Sequence, residues 1–393
     1  MTPVPLGIDD ISAATGSLMF PLASLADAQG TSAGKYHRGI GQVEMSLPSA
    51  DEDIVTLAAR AAAPIIERHG TAGIRTVLFA TESGIDQSKA AGIFVHELLG
   101  LDPHVRVVEL KEACYSATSA LQFALGLVAR RPDEKVLVIA SDVARYELDS
   151  SGEATQGSGA VAMLVTANPR ILQIEDASGL FTENVHDFWR PNDRSTAIVD
   201  GRYSVTVYLR AVEAAWNDYL SRGGAEFASI ARVCFHQPFT KMAAKAMQTL
   251  AKVAGADDVA ARVASLEDTM VLNRRLGNSY TASTYMALLS LLEGGALDAG
   301  ERVGVFSYGS GAVAEFFTGL LVDGYRDQLR LGAMDRMLDE RRVIEYPEYR
   351  ERHIAFDRVG DLETPHETSG PFRFAGVRDS IRVYEKLEGS PSA

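Results

Sequence analysis

Short, almost wholly apolar runs alternate along this chain with longer stretches in which apolar residues recur every three or four positions. The short runs at 76–80 (TVLFA), 105–110, 135–140 (KVLVIA), 160–165 and 171–174 read as strands buried on both faces. The longer stretches at 54–69, 88–99 and 115–130 read as helices. The second half continues the pattern, with strands expected at 231–235 and 303–308 and helices at 203–222, 240–254 and 280–293. Strands separated by helical stretches of this length predict an α/β fold with buried strands. No sequence repeat is visible. Even so, in each half a strand runs straight into polar, reactive residues. These are Thr81–Glu82 and the turn leading to Cys114 in the first half, and His236 and the SYGSG run in the second. Sites in α/β proteins gather at such strand ends, so two similar halves would place all four in one cleft.

The stretch 107–119, VVELKEACYSATS, carries the sharpest signal. It sets Cys114 at a corner between a strand and a helix, where the first unpaired N–H groups of the helix converge. The positive end of the helix dipole is expected to lower the thiol pKa and favour a nucleophile. The plainer alternative is a small buried hydrophobe, the usual fate of a free cysteine.

Composition narrows the partners. A 393-residue chain can bury a large core, and a formal charge of −14 argues against nucleic acid or an anionic membrane as main partner. Two cysteines, Cys114 and Cys234, make no disulfide framework and fit a reducing cytosol. The eight histidines show no metal-ligand spacing, so no structural zinc site is expected; no cofactor is expected either. Without a signal-peptide pattern or an apolar run long enough to span a bilayer, the expected location is the cytoplasm.

Other candidates sit at the same kind of place. Glu82, in FATESGIDQSKA, is either a cap near the next helix or a general base whose pKa burial has raised. His236 ends a strand just before Pro238 and is the histidine best placed to face a cleft. Lys241 and Lys245, one turn apart on the following helix, read as a solvated face or as phosphate ligands. Asn278, Tyr146 and the glycine-flanked Ser310 lie in loop-like segments, where backbone N–H groups can also stabilise an oxyanion. The chain after Tyr325 is charged and rich in Arg, Glu and Pro, and reads as surface elements with peripheral packing.

Taken together, these segments resemble the hydroxymethylglutaryl-CoA synthase family, a branch of the thiolase superfamily. The matching stretches are GIGQVEM, ATESGIDQSKAA, KEACYSAT, SDVARYELDSSGEATQGSGAVAML, HDFWRP, DGRYSVTVYL, HQPFTKM, LGNSYTASTY and VGVFSYGSG. The resemblance implies two thiolase-like halves, 1–167 carrying Glu82 and Cys114 and 168–393 carrying His236, in an αβαβα arrangement. A peripheral tail would begin at about 326. It also implies a reaction, the condensation of acetyl-CoA with acetoacetyl-CoA and water to give 3-hydroxy-3-methylglutaryl-CoA for the mevalonate pathway. Cys114 would carry the acetyl group, Glu82 would remove a methyl proton and His236 would polarise the ketone of the acceptor. Backbone donors at Cys114 and Ser310 would hold the thioester oxygen. Tyr146, Asn278 and Ser310 would contact substrate, and Lys241 and Lys245 the phosphate side. A homodimer is implied as well. Rival readings are a polyketide β-branching synthase acting on acyl carrier proteins and a ketoacyl synthase of the same superfamily. HQPFTKMAAKAM looks more like the CoA-using enzymes, and ATES with a base at Glu82 suits the last rival poorly.

Overall fold

The computed structural model describes residues 4–294, 296–356 and 360–387. Nine strands form its main sheet: β1 (Leu6–Thr15), β2 (Ile74–Ala80), β3 (Arg106–Leu110), β4 (Lys135–Ala144), β5 (Gly157–Ala167), β6 (Leu172–Thr182), β7 (Ile230–Phe235), β8 (Arg302–Gly309) and β9 (Val313–Leu321). Their order is β7-β8-β9-β6-β1-β5-β4-β2-β3. At the middle, β1 and β6 meet only at Gly7 with Gln173 and Ile8 with Leu172. Outward from that joint the two sides match. One runs β1, β5, β4, β2 and the other β6, β9, β8, β7. Each has two antiparallel pairings followed by a parallel one. The first half adds β3 at its edge. This is the duplicated α/β architecture that the strand ends suggested.

Six helices are used below: α1 (Ile54–His69), α2 (Ser116–Arg130), α3 (Gly201–Ser221), α4 (Met242–Val253), α5 (Ser283–Gly294) and α6 (Tyr346–Ala355). α1 covers β1, β4 and β5, whereas α3 covers β6 and β9 and α4 packs on β7. α2 packs on strands of the first half and α5 on β7 and β8, and the two touch where Thr118 Oγ1 and Tyr285 OH share a hydrogen bond of 2.8 Å. The result is helix, sheet, helix, sheet, helix. α1 begins where its alanine-rich face meets the sheet. Asp53 accepts from the N–H groups of Val55 and Thr56, and Thr56 Oγ1 accepts from the Asp53 N–H, a reciprocal cap.

Two departures from the sequence reading have physical causes. β1 was not expected, because Asp9, Asp10 and Ser12 interrupt its apolar pattern. Both aspartates are buried in the structure and ion-paired. Asp9 takes a bidentate contact from Arg170, while Asp10 is held by Arg330, Arg68 and His69. The tail is also not peripheral. Tyr349 is 1% exposed and stacks on Phe20 at 4.5 Å, and Phe372 joins the main core. Aromatic residues spaced among charges hid a buried face.

Candidate active site

Glu82 follows β2, Cys114 follows β3, His236 follows β7 and Ser310 follows β8. The fold brings these four strand ends together. Cys114, His236 and Ser310 line one cavity of about 140 Å3, together with Tyr146 and Asn278. Glu82 reaches it through the cysteine, whose Sγ donates to Glu82 Oε2 at 3.2 Å.

The corner carrying Cys114 is tightly specified. Ala113 sits at φ 43°, in the left-handed region that costs a side-chain-bearing residue about 1 kcal/mol or more. One 3-10 turn, Ala113–Tyr115, then leads into α2. Across the sheet, Glu315 fixes the turn by accepting from Tyr115 OH and Gln122 Nε2, both at 2.7 Å. From the other half, the last residue of β8 presses against it. A Cβ on Gly309 would lie 2.6 Å from the Glu112 carbonyl oxygen and 2.8 Å from Tyr115 Cβ, so only glycine fits.

The electrostatics correct one expectation. The Cys114 thiol is pushed well up, first by burial and then by the neighbouring Glu82 carboxylate, rather than down by the helix end. A dipole at the first turn does not offset complete desolvation beside an anion. Glu82 is itself raised to about 8, by burial first and then by Asp142. The two groups therefore titrate as a pair sharing a proton, with a carboxyl group poised near neutrality.

Asp142, which the sequence reading passed over, organises this corner. It is wholly buried, and its Oδ1 accepts from the N–H groups of Glu82 (2.8 Å) and Ser83 (2.9 Å) and from Thr81 Oγ1 (2.8 Å). Its other oxygen accepts from Thr281, beside the cavity residue Tyr280. It lies on β4 two residues past the apolar run 135–140, so the strand-end rule that picked Glu82 applies to it equally.

His236 is 2% exposed, and burial lowers its pKa to about 3, so the ring is neutral. Its carbonyl accepts from Tyr208 OH at 2.7 Å and its N–H donates to the Phe306 carbonyl at 2.9 Å, which fixes the backbone. Nδ1 is buried with no partner among the described residues. The tautomer that strands no buried N–H carries its proton on Nε2, and so keeps a donor for a carbonyl oxygen.

Asn278 Nδ2 donates to Tyr146 OH at 3.1 Å, and its Oδ1 accepts from the Tyr280 N–H at 2.9 Å. Tyr146, Tyr280 and Phe188 pack edge to face and build an apolar wall. The Ser310 loop is pinned by the buried Asp187, which accepts from Tyr308 OH (2.7 Å) and the Gly311 N–H (3.0 Å). The two lysines fall outside the cavity lining. Lys241 precedes α4 rather than lying within it, and its ammonium donates to the Arg38 carbonyl at 3.1 Å. Lys245 is exposed and rests over the ring of Phe239, which does line the cavity.

Comparison with known proteins places this geometry. The model for the hydroxymethylglutaryl-coenzyme A synthase N-terminal region matches residues 2–170, and that for the C-terminal region matches 172–262 and 251–355. A hydroxymethylglutaryl-CoA synthase of Enterococcus faecalis is 41% identical over 382 residues, 96% of this chain and 99% of that protein. A polyketide-biosynthesis 3-hydroxy-3-methylglutaryl-ACP synthase of Bacillus subtilis is 32% identical over 86% of this chain and 82% of its own length. A solved HMG-CoA synthase complexed with CoA superposes with a TM-score of 0.93 at 38% identity, covering 98% of this chain and 100% of that one. With both halves matched along their length and the strand ends gathered on one thiol, the chain belongs to the hydroxymethylglutaryl-CoA synthase family.

Proposed function

We propose that this protein is a hydroxymethylglutaryl-CoA synthase, an acyltransferase that joins acetyl-CoA to acetoacetyl-CoA through an acetyl-cysteine. Cys114 Sγ attacks the acetyl thioester, and its proton ends on the departing CoA sulfur. Glu82, 3.2 Å from Sγ, then takes a proton from the acetyl methyl group. The resulting carbanion equivalent attacks the C3 ketone of acetoacetyl-CoA, whose oxygen accepts a hydrogen bond from His236 Nε2 and then takes up the proton that Glu82 removed from the methyl group. Water cleaves the thioester, restoring the thiol and releasing 3-hydroxy-3-methylglutaryl-CoA. Backbone donors at Cys114 and Ser310 hold the thioester oxygen, and Tyr146 and Asn278 line the acceptor's place. Lys245 lies by the cavity mouth, within reach of a CoA phosphate, whereas Lys241 must first leave its carbonyl partner.

The observation that carries this reading is the Cys114–Glu82 contact at the wall of a cavity that a neutral histidine also lines. Its test is product formation from acetyl-CoA with acetoacetyl-CoA, set against the same reaction with acyl carrier protein substrates. The CoA pair should turn over faster. Much faster turnover on the carrier protein would assign the enzyme to polyketide β-branching instead. The reaction as written needs no metal or cofactor, so activity should survive exhaustive chelation.

A homodimer completes the reading. β3 is a sheet edge with one neighbour, and Val108 on it is 42% exposed, as an unpartnered edge meant for pairing would be. Light scattering should give twice the chain mass, and a monomer at micromolar concentration would refute it. No helix among the described residues is long and apolar enough to cross a membrane. Together with two unpaired cysteines, this supports a cytoplasmic location, checked by cell fractionation.

A further inference from the structure

The segment between β4 and β5 supplies four residues of the cavity wall, Tyr146, Ser151, Gly152 and Thr155. It has only one 3-10 turn, Glu153–Thr155, and no sheet ladder of its own. Loops of this length inside a compact domain need an outside support. The support comes from α6, about 200 residues later in the chain.

The contacts form one continuous chain of hydrogen bonds, buried at Gln156 and Tyr349 and part-buried at His353. Gln156 Oε1 accepts from the Tyr146 N–H at 2.8 Å, which fixes the orientation of the amide. Gln156 Nε2 then donates to Tyr349 OH at 2.7 Å, and Tyr349 OH donates to Glu153 Oε1 at 2.9 Å. His353 Nε2 lies 2.9 Å from the Tyr146 carbonyl and 3.0 Å from Gln156 Oε1. Both of those atoms only accept, so Nε2 is the donor. Both backbone polar groups of Tyr146 are therefore held by this network. The hydroxyl of Tyr146 meets Asn278, so its ring is fixed from two sides.

We infer that Tyr349 and His353 are positioning residues for the acceptor thioester, acting through Tyr146 and Gln156 from a helix that lines no part of the cavity. This rests on the reading that the cavity takes acetoacetyl-CoA after Cys114 is acetylated. A small displacement of a binding wall weakens binding without removing any reacting group. A merely structural role would act differently. It would reduce the folded fraction, and with it apparent kcat and Tm, while leaving KM alone.

The test is steady-state kinetics of the full-length enzyme at saturating acetyl-CoA, with Tm measured in parallel. His353→Ala should raise KM for acetoacetyl-CoA about tenfold, the ratio expected for one lost positioning hydrogen bond, with kcat within about twofold. His353→Gln, which keeps an N–H donor, should recover most of that loss. Tyr349→Phe keeps the ring stacked on Phe20 and should raise KM several-fold; it decides the matter if His353→Ala fails to fold. Unchanged KM in His353→Ala and Tyr349→Phe, or a joint fall of kcat and Tm at constant KM, would overturn the inference. Wild-type enzyme that turns over no acetoacetyl thioester at all would instead sink the functional reading, and this inference with it.

Discussion

Glu82 carries the ionisation on which the proposed condensation turns. Its carboxyl is held at about 8, chiefly by burial. Proton removal requires the ionised form, so the condensation rate should climb with pH to a plateau above about 8. A flat profile between pH 6 and 9 would put the base elsewhere. Glu82→Ala should still accept an acetyl group on Cys114 but lose roughly 10³-fold in condensation, the usual range for a general base. The same shift has a cost in stability. The folded-state pKa lies above the 4.5 of an ordinary glutamate, so between those two pH values the native state keeps a proton that the unfolded chain has lost. Stability from this group therefore falls as pH rises from about 4.5 to 8. Glu82→Gln should gain on the wild type across that window, by at most on the order of 5 kcal/mol, as read from urea denaturation at pH 5 and pH 8.5. An equal difference at both pH values would show that the carboxyl is not desolvated.

At the scale of elements, the site depends on how closely the end of β8 approaches the turn before α2. Gly309→Ala would drive a methyl into the Glu112 carbonyl and Tyr115, 2.6 and 2.8 Å away. Overpacking of this kind costs about 1–3 kcal/mol. The variant should fold with a lowered Tm and acetylate Cys114 at least tenfold more slowly, because the turn holding the thiol must move. Wild-type acetylation would mean that the strand end and the turn are independent. Most elements that bear chemistry were legible in the sequence. α1 is a clean helical stripe and the strands behind Glu82, Cys114 and His236 are short runs rich in Val, Leu and Phe, and local pattern dictates them. β1 was not legible, because Asp9 and Asp10 are neutralised by arginines 58 to 320 positions away, which no local window contains. Asp142 and Asp187 escaped for a related reason, since their worth lies in donors that stand far from them along the chain. The lowered thiol pKa expected at the helix end failed because burial, invisible in one dimension, outweighs the dipole.

For the whole molecule, the buried aspartates of β1 are the seam between the halves. Arg330 reaches Asp10 with two contacts of 2.7 and 3.0 Å and also donates to the Pro64 carbonyl, tying the chain's second half to β1 and α1. Asp10 is 0% exposed, so removing a partner leaves its buried charge less compensated. Arg330→Met should destabilise the protein by about 3 kcal/mol in urea denaturation, less than a lone buried pair because Arg68 and His69 remain. A loss under about 1 kcal/mol would mean that the seam is held by packing instead. The matched strand order on either side of this seam is what delivers two strand ends from each half to one cavity.

The central claim is that these converging strand ends make Cys114 the acyl carrier. Incubation with acetyl-CoA, followed by peptide mass spectrometry, tests it most directly. One acetyl group should appear on Cys114, be absent in Cys114→Ser, and disappear when acetoacetyl-CoA is added, with 3-hydroxy-3-methylglutaryl-CoA released. A label on Cys234, or an acetyl-Cys114 that acetoacetyl-CoA never discharges, would contradict the account.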